Sequence, residues 1–415
     1  RQSVVHHFNS EASFNKSAIL TSFTFSKFGN ILMGKNRQHG FQNWGLVNEY
    51  SSNSSSLYFE SPSNNNNPNI QKNSEYSQID ILQKIVFTLP KEKQLLINLQ
   101  FSNSSNIPRF DKLNEMIKNN LRFAEWNYGP QKRLLISPQL KIFPNKKYLY
   151  KGTIIAAYQW VKESRIQRRF ESIDRINQNE NVNIFSLNAD FEAPKTRKIS
   201  IVYGFEFIGN KIKSDAFRER LILLGNTITQ TQFLGKFPSR YPNNGSSYFV
   251  SAAYSNMRLD LNSKSSISLG ARYTSTKIKA SWANEQFLKS KNLDLKTTNN
   301  ALTGSISSSY RPNKNVKMNF LFSTGFRSPN IDDLGKIREN RGVLIIPNPE
   351  LKPEYVYNFE GGLTFSKDDV FSIEGRFFNS NIKNYIGRII SPFSNNLSNS
   401  GISSLIIDNE KLSTQ

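Results

Sequence analysis

The side chains able to do chemistry are few, and their spacing limits what they can do. The chain has three histidines and no cysteine. That removes thiolate metal sites and disulfides and leaves few nucleophile–base arrangements. His6 and His7 are adjacent; on a strand they point to opposite faces and make a poor chelate. His39 stands in the polar stretch Gln38-His39-Gly40-Phe41-Gln42-Asn43-Trp44-Gly45, where a surface loop histidine is expected. Asp332-Asp333 offers a carboxylate pair, but neighbours in an extended chain diverge, so a solvated pair or a helix cap is the plainer role. No phosphate-cradling glycine run opens a helix. The chain therefore reads as a non-enzyme, with no metal site and no cofactor. What remains is binding chemistry: Arg327, Asn330, Asp332 and Asp333 as polar groups, and Trp44, Trp126 and Tyr241 as rings. Three roles are open to such rings: stacking on a ligand, a girdle at a membrane interface, or packing within a loop.

The elements that carry these residues are strands. Period-2 alternation over about ten residues recurs along the chain. Val316, Met318, Phe320 and Phe322 alternate with Lys317, Asn319, Leu321 and Ser323; Tyr357, Phe359, Leu363 and Phe365 alternate with Asn358, Glu360, Gly362 and Thr364. The rows from Leu95, Ile199, Ile267 and Phe371 repeat the pattern. We count on the order of fourteen such strands. A ten-residue strand rises ~33 Å, and tilted by ~45° it covers roughly the apolar height of an outer-membrane barrel. Soluble strands are usually about half that length.

The connections sort by length. Short ones rich in Pro, Asn and Asp (Leu89-Pro90-Lys91-Glu92-Lys93, Ala193 to Arg197, Asn262-Ser263-Lys264, Arg311 to Asn315, Ser366 to Asp369) alternate with long polar ones. The long stretches are Lys27 to Gln78, Ser104 to Pro130, Arg165 to Glu180, Gly209 to Ser246, Lys277 to Asn300 and Arg327 to Glu354. Consecutive antiparallel strands then place all short turns at one end and all long loops at the other. A transmembrane barrel with short periplasmic turns and long extracellular loops has that polarity; a soluble sandwich has no reason for it.

Bulk composition agrees. Basic residues number 54 against 32 acidic, a formal +22. They are spread as pairs such as Lys146-Lys147, Arg168-Arg169 and Lys132-Arg133, without an RNA-binding signature, zinc-finger spacing or basic helix, so no nucleic-acid partner is expected. Basic loops suit lipid phosphates or anionic ligands. There are 31 Phe and 16 Tyr, yet no segment approaches the ~18 apolar residues of a membrane-spanning helix. Arg1-Gln2-Ser3 does not open a signal peptide.

One loop carries a more specific pattern. Gly325-Phe326-Arg327-Ser328-Pro329-Asn330-Ile331-Asp332-Asp333-Leu334 follows a strand, and Pro347-Asn348-Pro349-Glu350-Leu351-Lys352-Pro353-Glu354 opens the next. In order and position these resemble the paired boxes of TonB-dependent outer-membrane receptors. The stretch Ser104 to Leu113, with Ala124 to Lys132, is similar to loops in receptors of Bacteroidetes-like bacteria. The resemblance implies an antiparallel, 22-stranded barrel plugged by an N-terminal domain. On that expectation residues 1–415 are barrel only, incomplete at both ends, without the plug and without a terminal aromatic at Lys411-Leu412-Ser413-Thr414-Gln415.

It also implies partners and cargo. The TonB–ExbB–ExbD complex would act through the missing plug. An extracellular substrate such as a ferric siderophore, cobalamin, a glycan or a peptide would bind at the mouth. Outer-membrane lipid or lipopolysaccharide would surround the barrel, with a surface lipoprotein as a further partner. Arg327, Asn330, Asp332, Asp333, Trp44, Trp126 and Tyr241 would be the mouth residues, although Arg327 and Glu354 could simply pair across the barrel rim. No histidine stands between Asn330 and Pro347, where haem importers of the family usually carry one. A passive porin or adhesin barrel is the alternative.

Overall fold

A computed structural model of the chain describes residues 3–283, 293–335, 338–340, 343–346, 348, 350–367, 370–391 and 403–410. Pro347, Pro349, Asp368, Asp369 and Lys411 to Gln415 lie outside the described residues. Among the described residues, helix is confined to two short turns, Phe110–Leu113 and Ile331–Gly335.

Seventeen strands form one sheet. Fourteen of them make an antiparallel meander: β1 (Ser3–Phe14), β2 (Ser17–Phe28), β3 (Tyr76–Leu89), β4 (Lys93–Ser104), β5 (Lys132–Ile142), β6 (Lys151–Arg169), β7 (Asp174–Glu192), β8 (Ile199–Leu224), β9 (Ser246–Asp260), β10 (Ser265–Trp282), β11 (Leu293–Asn313), β12 (Val316–Arg327), β13 (Glu354–Lys367) and β14 (Phe371–Lys383). Each pairs with the next in unbroken order. The other three are Ile107–Pro108, Phe123–Tyr128 and Thr227–Lys236. They extend the wall at the long-loop end, where Phe123–Tyr128 pairs with the last residues of β6 and Thr227–Lys236 folds back on β8.

The alternation has the expected sense. Direct partners share a face, so Phe320, Gly361 and Phe377 form one row, and Leu269 and Ile306 belong to another. This aromatic face looks away from the protein: Phe205 is 58% exposed, Phe320 52%, Phe359 49% and Phe377 64%. A soluble sandwich would bury that face; a membrane barrel turns it to lipid. Phe249 lies across the strand from Gly209 on this outward face, and a Cβ added at Gly209 would come within 2.6 Å of its ring. The opposite face is polar, with Glu206–Arg272 and Tyr254–Asp190 pairs between strands. The adjacent histidines diverge as expected: His6 stacks on Phe25 and His7 bonds Thr24 on the other side.

Strand ends required correction. Arg165 to Glu180, Gly209 to Ser246 and Lys277 to Asn300 read as long loops. Instead β6 and β7 run to a short connection at 170–173, β8 continues to Leu224, and β10 reaches Trp282. Above the lipid band neither face need be apolar, so the ladder continues after the hydrophobic period ends. A separate four-stranded sheet (Arg338–Asn340, Val343–Ile346, Tyr385–Ser391 and Ser403–Glu410) includes one parallel pairing that no sequence pattern signalled.

Candidate functional site: the long-loop mouth

On one wall of the mouth, two loops fold inward. β12 ends at Arg327 and β13 begins at Glu354, and the two are direct cross-strand partners on the lumen side. The Arg327 guanidinium donates to Glu354 Oε2 at 2.9 Å and to Asp333 Oδ2 at 2.6 Å. Asn330 and Asp333 cap each other: the Asp333 N–H donates to Asn330 Oδ1 at 2.9 Å, and the Asn330 N–H donates to Asp333 Oδ2 at 3.1 Å. That reciprocal box opens the helical turn Ile331–Gly335. Asp332 turns the other way and accepts from the Tyr241 hydroxyl at 3.0 Å. Burial, with the Asp332 charge adding and Arg240 opposing, pushes the Tyr241 hydroxyl up to about 12, so it remains a donor at any physiological pH.

The floor under this cluster is apolar. Ile331, Leu334 and Leu351 from the loop pack on Ile278, Ala280 and Trp282 of β10 and on Leu295 of β11. These strand residues have lumen parity, since the alternate positions Lys277 and Lys279 are exposed on the outside. The loop therefore lies on the inner wall and narrows the mouth. The Glu354 carboxylate also accepts the Ile386 N–H at 2.7 Å. Arg327→Ala would release two carboxylates at once. Its side chain is 45% exposed, so we expect a local loss of about 1 kcal/mol. Amide exchange across Asn330 to Leu334 should quicken about fivefold, and unchanged exchange would contradict the clamp.

A second cluster holds the first two long loops. Glu125 is almost fully buried and accepts from two arginines: Arg168 Nε at 2.8 Å, and Arg175 Nε and Nη2 at 2.8 and 3.0 Å. Arg168 also reaches Asn53 Oδ1 at 2.6 Å and the Ser172 carbonyl at 2.9 Å, and lies over the Tyr58 ring. Arg175 in turn faces Glu219. Loop 29–75, loop 105–131 and the ends of β6, β7 and β8 thus converge on one carboxylate. The sequence reading missed this network. Its one local signal is a charge inside an apolar run, Phe123-Ala124-Glu125-Trp126.

Arg327, Asn330, Asp332, Asp333 and Tyr241 come together in the infolded cluster, each with a protein partner. Trp126 belongs to the second cluster: only 7% exposed, it packs on Leu113, Phe123 and Tyr128 under the Arg109 guanidinium. Trp44 is different. It is 63% exposed beside Phe41 at 70%, with the His39 ring against both. Arg37 fixes the tip by donating to the Trp44 carbonyl and to Asn69. Among the described residues no three His, Asp or Glu side chains converge as metal ligands. Such a mouth can hold and orient a ligand on exposed rings above a braced rim.

Comparison with known proteins follows the same lines. No curated protein matches the sequence. Solved structures do, and they share the fold. The Serratia marcescens hemophore receptor HasR, a double mutant in complex with its hemophore HasA and heme, aligns with a TM-score of 0.65 at 12% identity, over 98% of this chain and 58% of that one. The copper transporter OprC gives 0.64 at 9% identity, over 98% and 55%. The siderophore receptor PiuA from Acinetobacter baumannii gives 0.59 at 11%, over 97% and 58%. The chain spans a little over half the length of these proteins. A family model described as TonB dependent receptor-like, beta-barrel matches residues 22–406, and the chain belongs to that family.

Proposed function

We propose that the chain is the barrel of an outer-membrane receptor that imports a scarce or bulky nutrient with energy delivered through TonB. The observation that carries this reading is the family match over nearly the whole chain, on a sheet whose apolar face is turned outward. The cargo class is a metal complex such as a ferric siderophore. Among proteins of this fold are a receptor bound to a hemophore and heme, a copper transporter and a siderophore receptor. A plug domain, contributed by sequence outside this chain, transmits the TonB pull. Ligand meets the exposed tip formed by Trp44, Phe41 and His39. Arg327, Asn330, Asp332, Asp333 and Tyr241 brace the infolded loop on the inner wall, and Trp126 packs within the second long loop. The protein is not an enzyme in this account.

The test is uptake by cells producing the full-length receptor, supplied with a panel of ferric siderophores, haem, copper, cobalamin and glycans. A gain on one of these should vanish when TonB is removed. Uptake that persists unchanged without TonB would reject energised import and favour a passive porin. For the ligand so found, Trp44→Ala should weaken binding about tenfold, the effect of losing one exposed aromatic anchor. Calorimetry showing unchanged affinity would move the contact elsewhere.

A further inference from the structure

The basic excess of the chain is concentrated at the short-turn end. Lys91 and Lys93 stand at the β3–β4 turn, and Lys146 and Lys147 at the β5–β6 connection. Lys195, Arg197 and Lys198 follow at β7–β8, and Lys264 at β9–β10. These four connections hold eight basic residues and one acidic, Glu92, all exposed. The first two long loops differ: 29–75 carries three basic and three acidic residues, and 105–131 four and three. There Arg109 pairs with Asp111, and Lys112 and Arg122 with Glu115. Among the described residues the ion pairs at the turn end are Lys151–Glu192 and Arg258–Asp260, and none of the eight takes part.

The turns hold these cations on a fixed backbone. Lys146 and Leu149 exchange N–H to carbonyl bonds at 2.9 and 3.0 Å. The Ile199 N–H donates to Thr196 Oγ1 at 2.9 Å, and the Lys264 N–H to Asn262 Oδ1 at 2.8 Å. Successive turns are two strands apart, so the charges recur about every 10 Å along the rim. They are not confined to the lipid side. By parity Lys198 continues the lumen face of β8, and Lys264 and Arg311 continue those of β10 and β11. The Arg311 N–H donates to the Lys264 carbonyl at 2.8 Å, which makes the two cations direct cross-strand neighbours. Like charges so placed repel.

A lipid surface touches only the outer face of a barrel wall. A polymer lying beneath the membrane meets the whole rim, inside and out, and a repeating one meets each turn in the same way. We propose that the short-turn rim docks on the carboxylates of cell-wall peptidoglycan, whose acidic peptide stems repeat along a glycan chain. The proposal rests on the reading of the chain as a receptor barrel with its short turns in the periplasm. One exposed ion pair contributes little. Four turns engaged on a single polymer gain from effective concentration.

The test is cosedimentation of the full-length receptor, in neutral detergent, with purified peptidoglycan sacculi. Wild type should sediment with native sacculi. It should be released as salt rises to ~0.5 M, where the Debye length is about 4 Å, and should not sediment with sacculi whose carboxylates have been amidated. Lys91→Gln/Lys147→Gln/Lys195→Gln/Lys264→Gln, one change per turn, should bind at least tenfold more weakly. Lys35→Gln/Lys118→Gln/Lys279→Gln/Lys296→Gln, the same loss of charge at the long-loop end, should bind as wild type does. Equal binding by wild type and the turn variant would overturn the proposal, as would an equal loss in the long-loop variant or full binding to amidated sacculi. Retention by phosphatidylglycerol vesicles equal to that by sacculi, and lost in the same turn variant, would make the rim a lipid contact and overturn it too. Heat-modifiable migration reports the barrel itself. Its absence would reject the barrel reading, whereas a heat-modifiable receptor that ignores sacculi would reject only the docking rim. Should the turn variant lose that migration, native against amidated sacculi decides with wild type alone.

Discussion

Replacing Glu125 with alanine will detach the first two long loops from the rim of the barrel. Arg168 and Glu125 are 0% and 3% exposed at their side chains, and Arg175 is 9% exposed. Removing the carboxylate leaves two guanidinium groups buried without their shared counter-charge. Breaking a buried pair from one side costs about 3–5 kcal/mol, more than the pair contributes against an apolar substitute, because the stranded charge must be desolvated alone. The cost falls where the loops meet the rim, beside neutral ties such as Ser51 to the Ala124 carbonyl and the Tyr58 N–H to the Asn226 carbonyl. Limited proteolysis should therefore cut loops 29–75 and 105–131 far faster, while the barrel still migrates as a folded species. The exposed pair Lys236–Asp215, at 73% and 54%, is the control: Asp215→Asn should change stability by ~0–1 kcal/mol. Proteolysis of Glu125→Ala at the wild-type rate would show that the network does not hold the loops.

The second large effect belongs to the outward face. Phe320 is 52% exposed and sits in a row with Gly361 and Ser308. In a water-soluble protein, Phe320→Arg would be neutral or mildly helpful. Facing lipid, an arginine near the bilayer midplane costs roughly 2–4 kcal/mol. Asn319, the residue before it, faces the lumen, and Asn319→Arg should be tolerated. Reconstitution yield and denaturant stability in lipid vesicles should separate the two sharply. Equal behaviour of the neighbours would mean that the two faces see the same solvent.

The strand core was legible because alternation against lipid leaves a hydrophobic record. Phe371, Ile373 and Phe377 announce their face without any structure. The turns were legible for a different reason: Asn262 and Asn313 stand where their side chains accept the backbone N–H two residues on, closing the tight connections. The paired boxes located Arg327 and Glu354, and the two pair across the rim.

Beyond the lipid band the record fades. The last dozen residues of β8 keep pairing, but Lys211, Lys213 and Asp215 alternate with Ile212, Ser214 and Ala216, a pattern that reads as loop. Glu125 meets Arg168 across 43 residues, a contact with no local signature. Trp126 and Trp44 have the same composition-level claim on a ligand. Only packing under Arg109 separates the buried ring from the exposed one.

The central claim is an oriented membrane barrel whose long-loop end meets the outside, and cysteine accessibility tests it most directly. The barrel chain contains no cysteine, so Trp44→Cys, Asn262→Cys and Phe205→Cys each introduce one thiol into it. In intact cells a membrane-impermeant maleimide should label Trp44→Cys. It should label Asn262→Cys only after the outer membrane is permeabilised, and Phe205→Cys only after unfolding. Labelling of Asn262→Cys in intact cells as fast as Trp44→Cys, or full labelling of Phe205→Cys in the folded protein, would contradict the account.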